Sequence, residues 1–478
     1  MLKVIPEPLL EFGDSNTHVD IRGGLASFGP FDVNEVSRPT RVSLGVVATR
    51  EDRALVEKWL VSVANGIPAK ESRQPNLFPP FPALGRNGVF QSEFIIEEVG
   101  ELPALELTKL CAESDLSAFC QRVALRLSQE AMRLTQKRSL HVILIVLPNQ
   151  ILSKSAELAA ARGGVTPDGI IPDLHDILKA KALVANIQTQ IVWPATIGGK
   201  MISRQNLRQM RKQVVKQQQD EATRAWNLVT AIYYKAKGFP WRIPKDTKKL
   251  ASCFVGLGFF KNADNTALHT SMAQVFDERG DGLILQGGPA EFSKTDRRPY
   301  LPAAEAKQLI LQMLEAYEAE HHHSPARCVF HRASAFKEEE VEGIQEALQE
   351  KNIRFHDLVS IRSSDMRLCR IGAYPIPRGA CMTLDEDRAL LYTRGSVEYF
   401  STYPGNYVPR ALEVRKDSGD SDVDELCAEI LSLTKMNWNN TQFDGGKPIT
   451  LRAAQKVGDV LRWVPQFSPI PHRFSFFM

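Results

Sequence analysis

The stretch Trp226-Asn-Leu-Val-Thr-Ala-Ile-Tyr-Tyr-Lys235, followed by Gly238-Phe-Pro-Trp-Arg242, divides this sequence into two textures. Residues 221–237 carry an apolar stripe at helical spacing, which predicts a core helix, and the Gly and Pro that follow are a stop signal. Upstream, strand and helix patterns alternate. Strands are expected at 42–49, 90–98, 141–147 and 189–193, with helices at 51–65, 117–137 and 174–185. Alternation of this kind predicts an α/β domain with a mostly parallel sheet, whose ligands sit at strand carboxyl ends near helix N-termini. Downstream, strands at 250–260, 270–277 and 282–286 come first, and helices at 303–320 and 337–350 flank a strand at 327–331. A last helix is expected at 451–463. Antiparallel strands followed by strand–helix alternation is the order of an RNase H-like domain. The boundary falls near residues 244–247, giving units of 1–246 and 247–478.

A chain of 478 residues exceeds one ordinary core, and its 43% hydrophobic and 24% charged content suit a soluble globular protein. No apolar run is long enough for a membrane helix, and the N-terminus, with Glu7 and Glu11, lacks the layout of a signal peptide. Seven scattered cysteines, with no CxxC pair, read as thiols in a reducing cytoplasm. A formal net charge of +3 argues neither for nor against nucleic acid, so the placement of charge matters more than its sum.

Three polar residues could meet at one place. His175 and Lys179 are four apart on a short helix and share a face, and Gln190 opens the next strand. An imidazole, an ammonium and an amide near a helix terminus suit a phosphate monoester, although the same residues could line a solvated surface. Residues 203–219 carry Arg204, Arg208, Arg211, Lys212 and Lys216 without an acid. That polar helix is either a solvated face or a contact for a nucleic-acid backbone. Residues 417–424 read as a solvated acidic loop leading into a helix, and His321-His-His323 as a helix C-terminus.

The Trp226 helix with Gly238-Phe-Pro-Trp-Arg242 closely resembles a signature of Argonaute proteins. Arg22-Gly-Gly-Leu-Ala-Ser-Phe-Gly-Pro30 is similar to an N-terminal segment of the short prokaryotic class. Lys435-Met-Asn-Trp-Asn439 and Pro448-Ile-Thr-Leu-Arg-Ala-Ala-Gln-Lys456 resemble the close of a PIWI domain. The resemblance covers essentially the whole chain and implies a Rossmann-like MID domain followed by an RNase H-like PIWI domain, with no room for N and PAZ domains. It implies that His175, Lys179, Gln190 and Lys235 grip the 5′ phosphate of a guide strand. It also implies a magnesium ion held by the guide phosphates, Gln190 and the carboxylate of Met478, with Phe474, Phe476 and Phe477 anchoring the tail by burial.

Catalytic PIWI domains hold two metal ions, roughly 4 Å apart, between clustered carboxylates. By the resemblance, those positions fall here on Gly258, Ala333 and Gln455, which cannot supply the charge. The family's glutamate finger has no clear counterpart. The implied function is a nuclease-inactive guide binder, cytoplasmic, with an RNA guide and a DNA target of invading origin. Such chains pair with an APAZ-domain effector that is sirtuin-like, TIR or nuclease. The rival is an active nuclease using shifted acids such as Asp277 and Asp281, although with Glu278 these punctuate a hairpin turn. A nucleotide-utilising α/β enzyme ranks last, because no Walker loop or GxGxxG follows a strand.

Overall fold

The computed structural model describes residues 2–161, 171–203, 205–206, 218–245, 250–275, 282–293, 297–369, 372, 375–403, 408–443, 445–465 and 468–478. Five consecutive apolar residues form the strand Val142–Val146, and all are buried. Such a run suits a parallel strand covered on both faces. It pairs in parallel with Arg41–Ala48 and Thr189–Val192, and Glu93–Glu101 completes a four-stranded parallel sheet beyond Arg41–Ala48. Helices Arg50–Asn65, Leu116–Lys137 and Leu174–Val184 start at Thr49, Asp115 and Asp173, whose side chains accept the exposed first-turn amides. Val42, Leu44 and Val46 join the core of Trp59 and Trp226, whereas Val47, Ile143 and Ile145 join that of Leu116–Lys137. Two covered faces make this a Rossmann-like layer.

The second sheet has nine strands. From one edge to the other they run Leu2–Val4, Ala380–Thr383, Arg388–Leu391, Leu412–Gly419, Phe355–Ser363, Arg327–Arg332, Ser252–Lys261, Leu268–Val275 and Gly282–Pro289. Ser252–Lys261, Arg327–Arg332 and Phe355–Ser363 are mutually parallel, and their outer neighbours are antiparallel. This is the RNase H-like arrangement. Helices Ala303–His321 and Glu338–Glu350 cover one face, and Val423–Leu433 and Ile449–Leu461 the other.

The helix Glu221–Lys235 joins the two layers. Asp220 caps it by accepting from the Thr223 amide at 2.9 Å. Trp226 packs edge-on against Phe81, and Tyr234 lies 4.7 Å from Trp438. The helix stops where Lys237 adopts φ 74° and Gly238 lies so close to the Tyr233 ring that a Cβ would come within 2.2 Å of it. One apolar cluster runs from Val42 and Trp226 through Phe260 and Val457 to Phe477, so the two sheets share a core.

Several expectations need correction or fall elsewhere. The strand expected at 90–98 is Glu93–Glu101, because Gln91 takes φ 47° and the Ser92 hydroxyl is turned onto Pro39 and Phe90 carbonyls. Residues 417–419 are not loop but the end of the strand Leu412–Gly419, and Asp417 turns inward to accept from the Phe336 amide. Only Asp422 behaves as a helix lead-in, capping Val423–Leu433. Leu2–Val4, expected with the first unit, is instead an edge strand of the second sheet. Arg204, Arg208, Arg211, Lys212 and Lys216 lie outside the described residues, as do Asp277, Glu278 and Asp281. His321 ends its helix and His322 closes it at φ 60°. All seven cysteines are free thiols. Among the described residues, no helix is long and apolar enough to cross a membrane.

Candidate functional site

The edge strand Thr189–Val192 of the parallel sheet and the helix Leu174–Val184 meet the end of Glu221–Lys235. There His175, Lys179, Gln190 and Lys235 converge. Lys179 is only 1% exposed and its ammonium donates to the Thr189 carbonyl at 2.7 Å. Lys235 is 3% exposed and donates to Gln190 Oε1 at 2.9 Å and to Asn439 Oδ1 at 3.4 Å. Gln190 uses its amide nitrogen on the Ile191 carbonyl, 3.0 Å away.

A fifth residue arrives from the other layer. The helix Ile449–Leu461 packs against Leu174–Val184 and sends Lys456 to Asp176 Oδ1 at 2.6 Å and His175 Nδ1 at 3.2 Å. Burial, followed by the charge of Lys456, holds the His175 pKa below its ordinary value. His175 Nδ1 lies 3.2 Å from both Lys456 Nζ and Asp176 Oδ1. Burial pushes Lys179 well below the usual lysine range, with Lys235 and Lys456 adding to the shift. The same burial, with repulsion from Lys456, brings Lys235 down to about 7. These shifts share one cause: ammonium groups crowded together away from water.

Sequence reasoning missed Lys456 and Asn439, although both lie in the two segments singled out near the C-terminus. Lys456 directly follows Gln455, and no local pattern shows that its side chain crosses to another layer. Asp173, His175 and Asp176 also place ligand atoms within 4.8 Å of one another. That cluster is accounted for by the helix cap, in which Asp173 accepts the amides of His175 and Asp176, and by the Lys456 ion pair.

The second group of residues singled out also converges. Arg332 pairs with Leu257 in parallel register, so Ala333 runs on beside Gly258. A Cβ on Gly258 would lie 3.4 Å from Ala454, the neighbour of Gln455. Gly258 sits opposite Ser271, whose hydroxyl is tied to the Ala454 carbonyl at 3.0 Å. Arg332 turns away from this surface to pair with buried Glu340 and to stack over Phe259. Glu291, at the far edge, accepts from the Tyr300 hydroxyl at 2.8 Å. The tail packs against both layers, with Phe474, Phe477 and Met478 buried and Phe476 partly so.

No family model matches the chain, and no curated protein matches it. Solved structures do. Clostridium butyricum Argonaute, bound to a guide DNA with a 5′ deoxycytidine and a 19-mer target DNA, is similar over 100% of this chain with a TM-score of 0.64. This is the Argonaute fold. The sequence identity is 18%, and Aa-Ago with externally bound siRNA matches 99% of the chain at a TM-score of 0.58 and 14% identity. The chain spans about half of each Argonaute, 54% and 56%. Within the Argonaute fold the Rossmann-like layer is the MID-type unit and the nine-stranded sheet the PIWI-type unit. The cluster of lysines lies where they meet.

Proposed function

We propose that this protein holds a guide strand by its 5′ phosphate and presents it to a complementary target without cutting. One observation carries the reading. Three lysines gather in the pocket, and Lys179 and Lys235 donate to neutral oxygens while Lys456 pairs with the Asp176 carboxylate. Lys179 and Lys235 are almost wholly buried and have no carboxylate hydrogen-bond partner among the described residues, so an arriving anion would favour their protonated forms. A phosphate monoester carries about −1.5 to −2 at neutral pH and offers three acceptor oxygens. It would give Lys179 and Lys235 a charged partner in place of the neutral oxygens they now meet. His175, partly exposed at the start of its helix, and Gln190 complete the set around it.

A magnesium ion belongs to this reading. Gln190 Oε1 and the Met478 carboxylate are hard oxygen donors of the kind magnesium takes. However, Gln190 Oε1 already accepts from Lys235, and the surroundings are positive. These residues would therefore hold the ion only together with phosphate oxygens, whose charge it would neutralise further. The absence of cutting follows from Gly258, Ala333 and Gln455, none of which can share a metal ion through a carboxylate. By the resemblance, the guide would be RNA, the target DNA of an invading element, and the output an APAZ-domain effector partner in the cytoplasm.

The test is guide binding. The wild type should bind a 5′-phosphorylated strand well and its 5′-hydroxyl twin poorly. Lys179→Ala or Lys235→Ala should remove about 1.5–3 kcal/mol from the phosphorylated strand alone. Equal wild-type affinity for the two strands would defeat the assignment.

A further inference from the structure

A second set of polar side chains converges at the open edge of the nine-stranded sheet. The strand Gly282–Pro289 is the last of that sheet, and the helix Ala303–His321 packs against it. Glu305, Gln308 and Gln312 share one side of the helix. With His269 and Gln286 they line a cavity of about 480 Å³, within the range of roughly 300–1,000 Å³ usual for binding pockets. Gln308 and Gln312 are exposed, whereas Glu305 is half-buried, and its carboxylate lies so close to Gly288 that a Cβ there would strike it. The first turn of a helix favours an acid, but among the described residues no hydrogen bond or ion pair reaches the Glu305 carboxylate.

The backbone beside this carboxylate is open as well. The tail pairs with the edge at its start, where the Ile284 amide donates to the His472 carbonyl at 2.6 Å and His472 Nδ1 lies 3.0 Å from the Ile284 carbonyl. Backbone groups point to alternate sides along a strand, so Gln286 turns its amide and carbonyl outward as Ile284 does. Among the described residues nothing bonds to them. We propose that this edge takes an extended segment of a partner protein, which continues the pairing begun by the tail and lays an arginine in the cavity against Glu305. Main-chain bonds to Gln286 would hold the segment, and the cavity would select its side chain. Arginine suits the cavity better than lysine, because its planar fork can give two donors to the carboxylate and others to the amide oxygens of Gln308 and Gln312. The inference is independent of the phosphate reading, since no residue of the lysine cluster takes part.

The experiment uses the full chain and three probes: an end-blocked Thr-Val-Arg-Val-Thr peptide, its twin with glutamate at the centre, and free arginine. The arginine peptide should bind about tenfold or more tightly than either of the others. It should also slow amide hydrogen exchange over residues 285–288. Glu305→Gln should weaken the arginine peptide about tenfold, and Glu305→Arg should reverse the preference between the two peptides. If the wild type binds the two peptides equally or binds neither, the proposal is wrong, whatever the variants do. Binding of the arginine peptide without slowed exchange at residues 285–288 would remove the added strand. Free arginine binding as tightly as the peptide would make the cavity a site for a small cation and overturn the partner segment.

Discussion

Lys179 and Lys235 show what a binding residue costs its own protein. Moving an ammonium out of water carries an effective penalty of several kcal/mol, and here a carbonyl and an amide oxygen offset only part of it. Lys179→Met is therefore expected to unfold at the same or a higher temperature than the wild type when no guide is present. The same variant should lose its preference for a 5′ phosphate. A clear fall in melting temperature would mean that the ammonium serves the fold. His331 offers a second test at this scale. It is fully buried, accepts or donates at Thr450 Oγ1 over 2.9 Å, and its Nε2 meets no partner among the described residues. Burial, then the charge of Arg327, pushes its pKa down to about 3. A lowered histidine pKa means that the unfolded chain binds the extra proton between about 6.5 and 3, so stability falls as the pH drops through that window. Above about 6.5 the residue contributes no slope. Thermal unfolding across pH should therefore be less acid-sensitive in His331→Phe than in the wild type.

At the scale of elements, the closing helix Ile449–Leu461 lies along the strand Ser252–Lys261, and glycines allow the approach. A Cβ on Gly256 would come 2.1 Å from the Thr450 carbonyl oxygen, a backbone atom that cannot move without the helix. A Cβ on Gly258 would come 2.9 Å from the Ser271 hydroxyl, which can rotate at the loss of its bond to Ala454. Gly256→Ala is expected to destabilise by about 1–3 kcal/mol or more, and Gly258→Ala by only about 1 kcal/mol. Denaturant unfolding of the two variants decides the order. Gly258→Asp should restore no cleavage, because Ala333 and Gln455 stay neutral and Ser271 stands against the new side chain. Guide-dependent products from that variant would show that the surface needs only one carboxylate.

The molecule as a whole carries a formal charge of +3, and the lysine cluster described above is local. A guide–target duplex is a long polyanion, so holding it calls for cations beyond this pocket. On the proposed reading, with Gly258, Ala333 and Gln455 neutral, a partner lying along the two units would add positive surface and perform the chemistry. Co-expression with the genomic neighbour should yield a stable pair that consumes NAD or degrades DNA only when guide and target are both added. A neighbour that neither co-purifies nor responds to guide plus target would leave a stand-alone binder as the better account.

Much of this was legible in one dimension. The apolar run around Val142–Val146 read as a strand from its length, and the Gly238 and Pro240 stop marked the end of the helix before it. Period and punctuation are local, so alternation told of a parallel layer, and the change of texture near residue 250 told of a second sheet. His175, Lys179 and Gln190 stood out by spacing and residue type, which a solvated surface would explain as well, and only the resemblance of a helix joined Lys235 to them. Other features belonged to the tertiary structure alone. Asp417 looked solvated because charge runs usually are, but it turns inward because a strand pairs there. Leu2–Val4 has no neighbour in sequence that reveals its pairing with Ala380–Thr383. Lys456 and Asp176 meet across 280 residues, and only the packing of two helices from different layers decides that distance. The chain thus specified its elements and the kinds of groups it could use. Which charges face each other, and so how much positive charge the pocket presents, was decided when the layers closed on a common core.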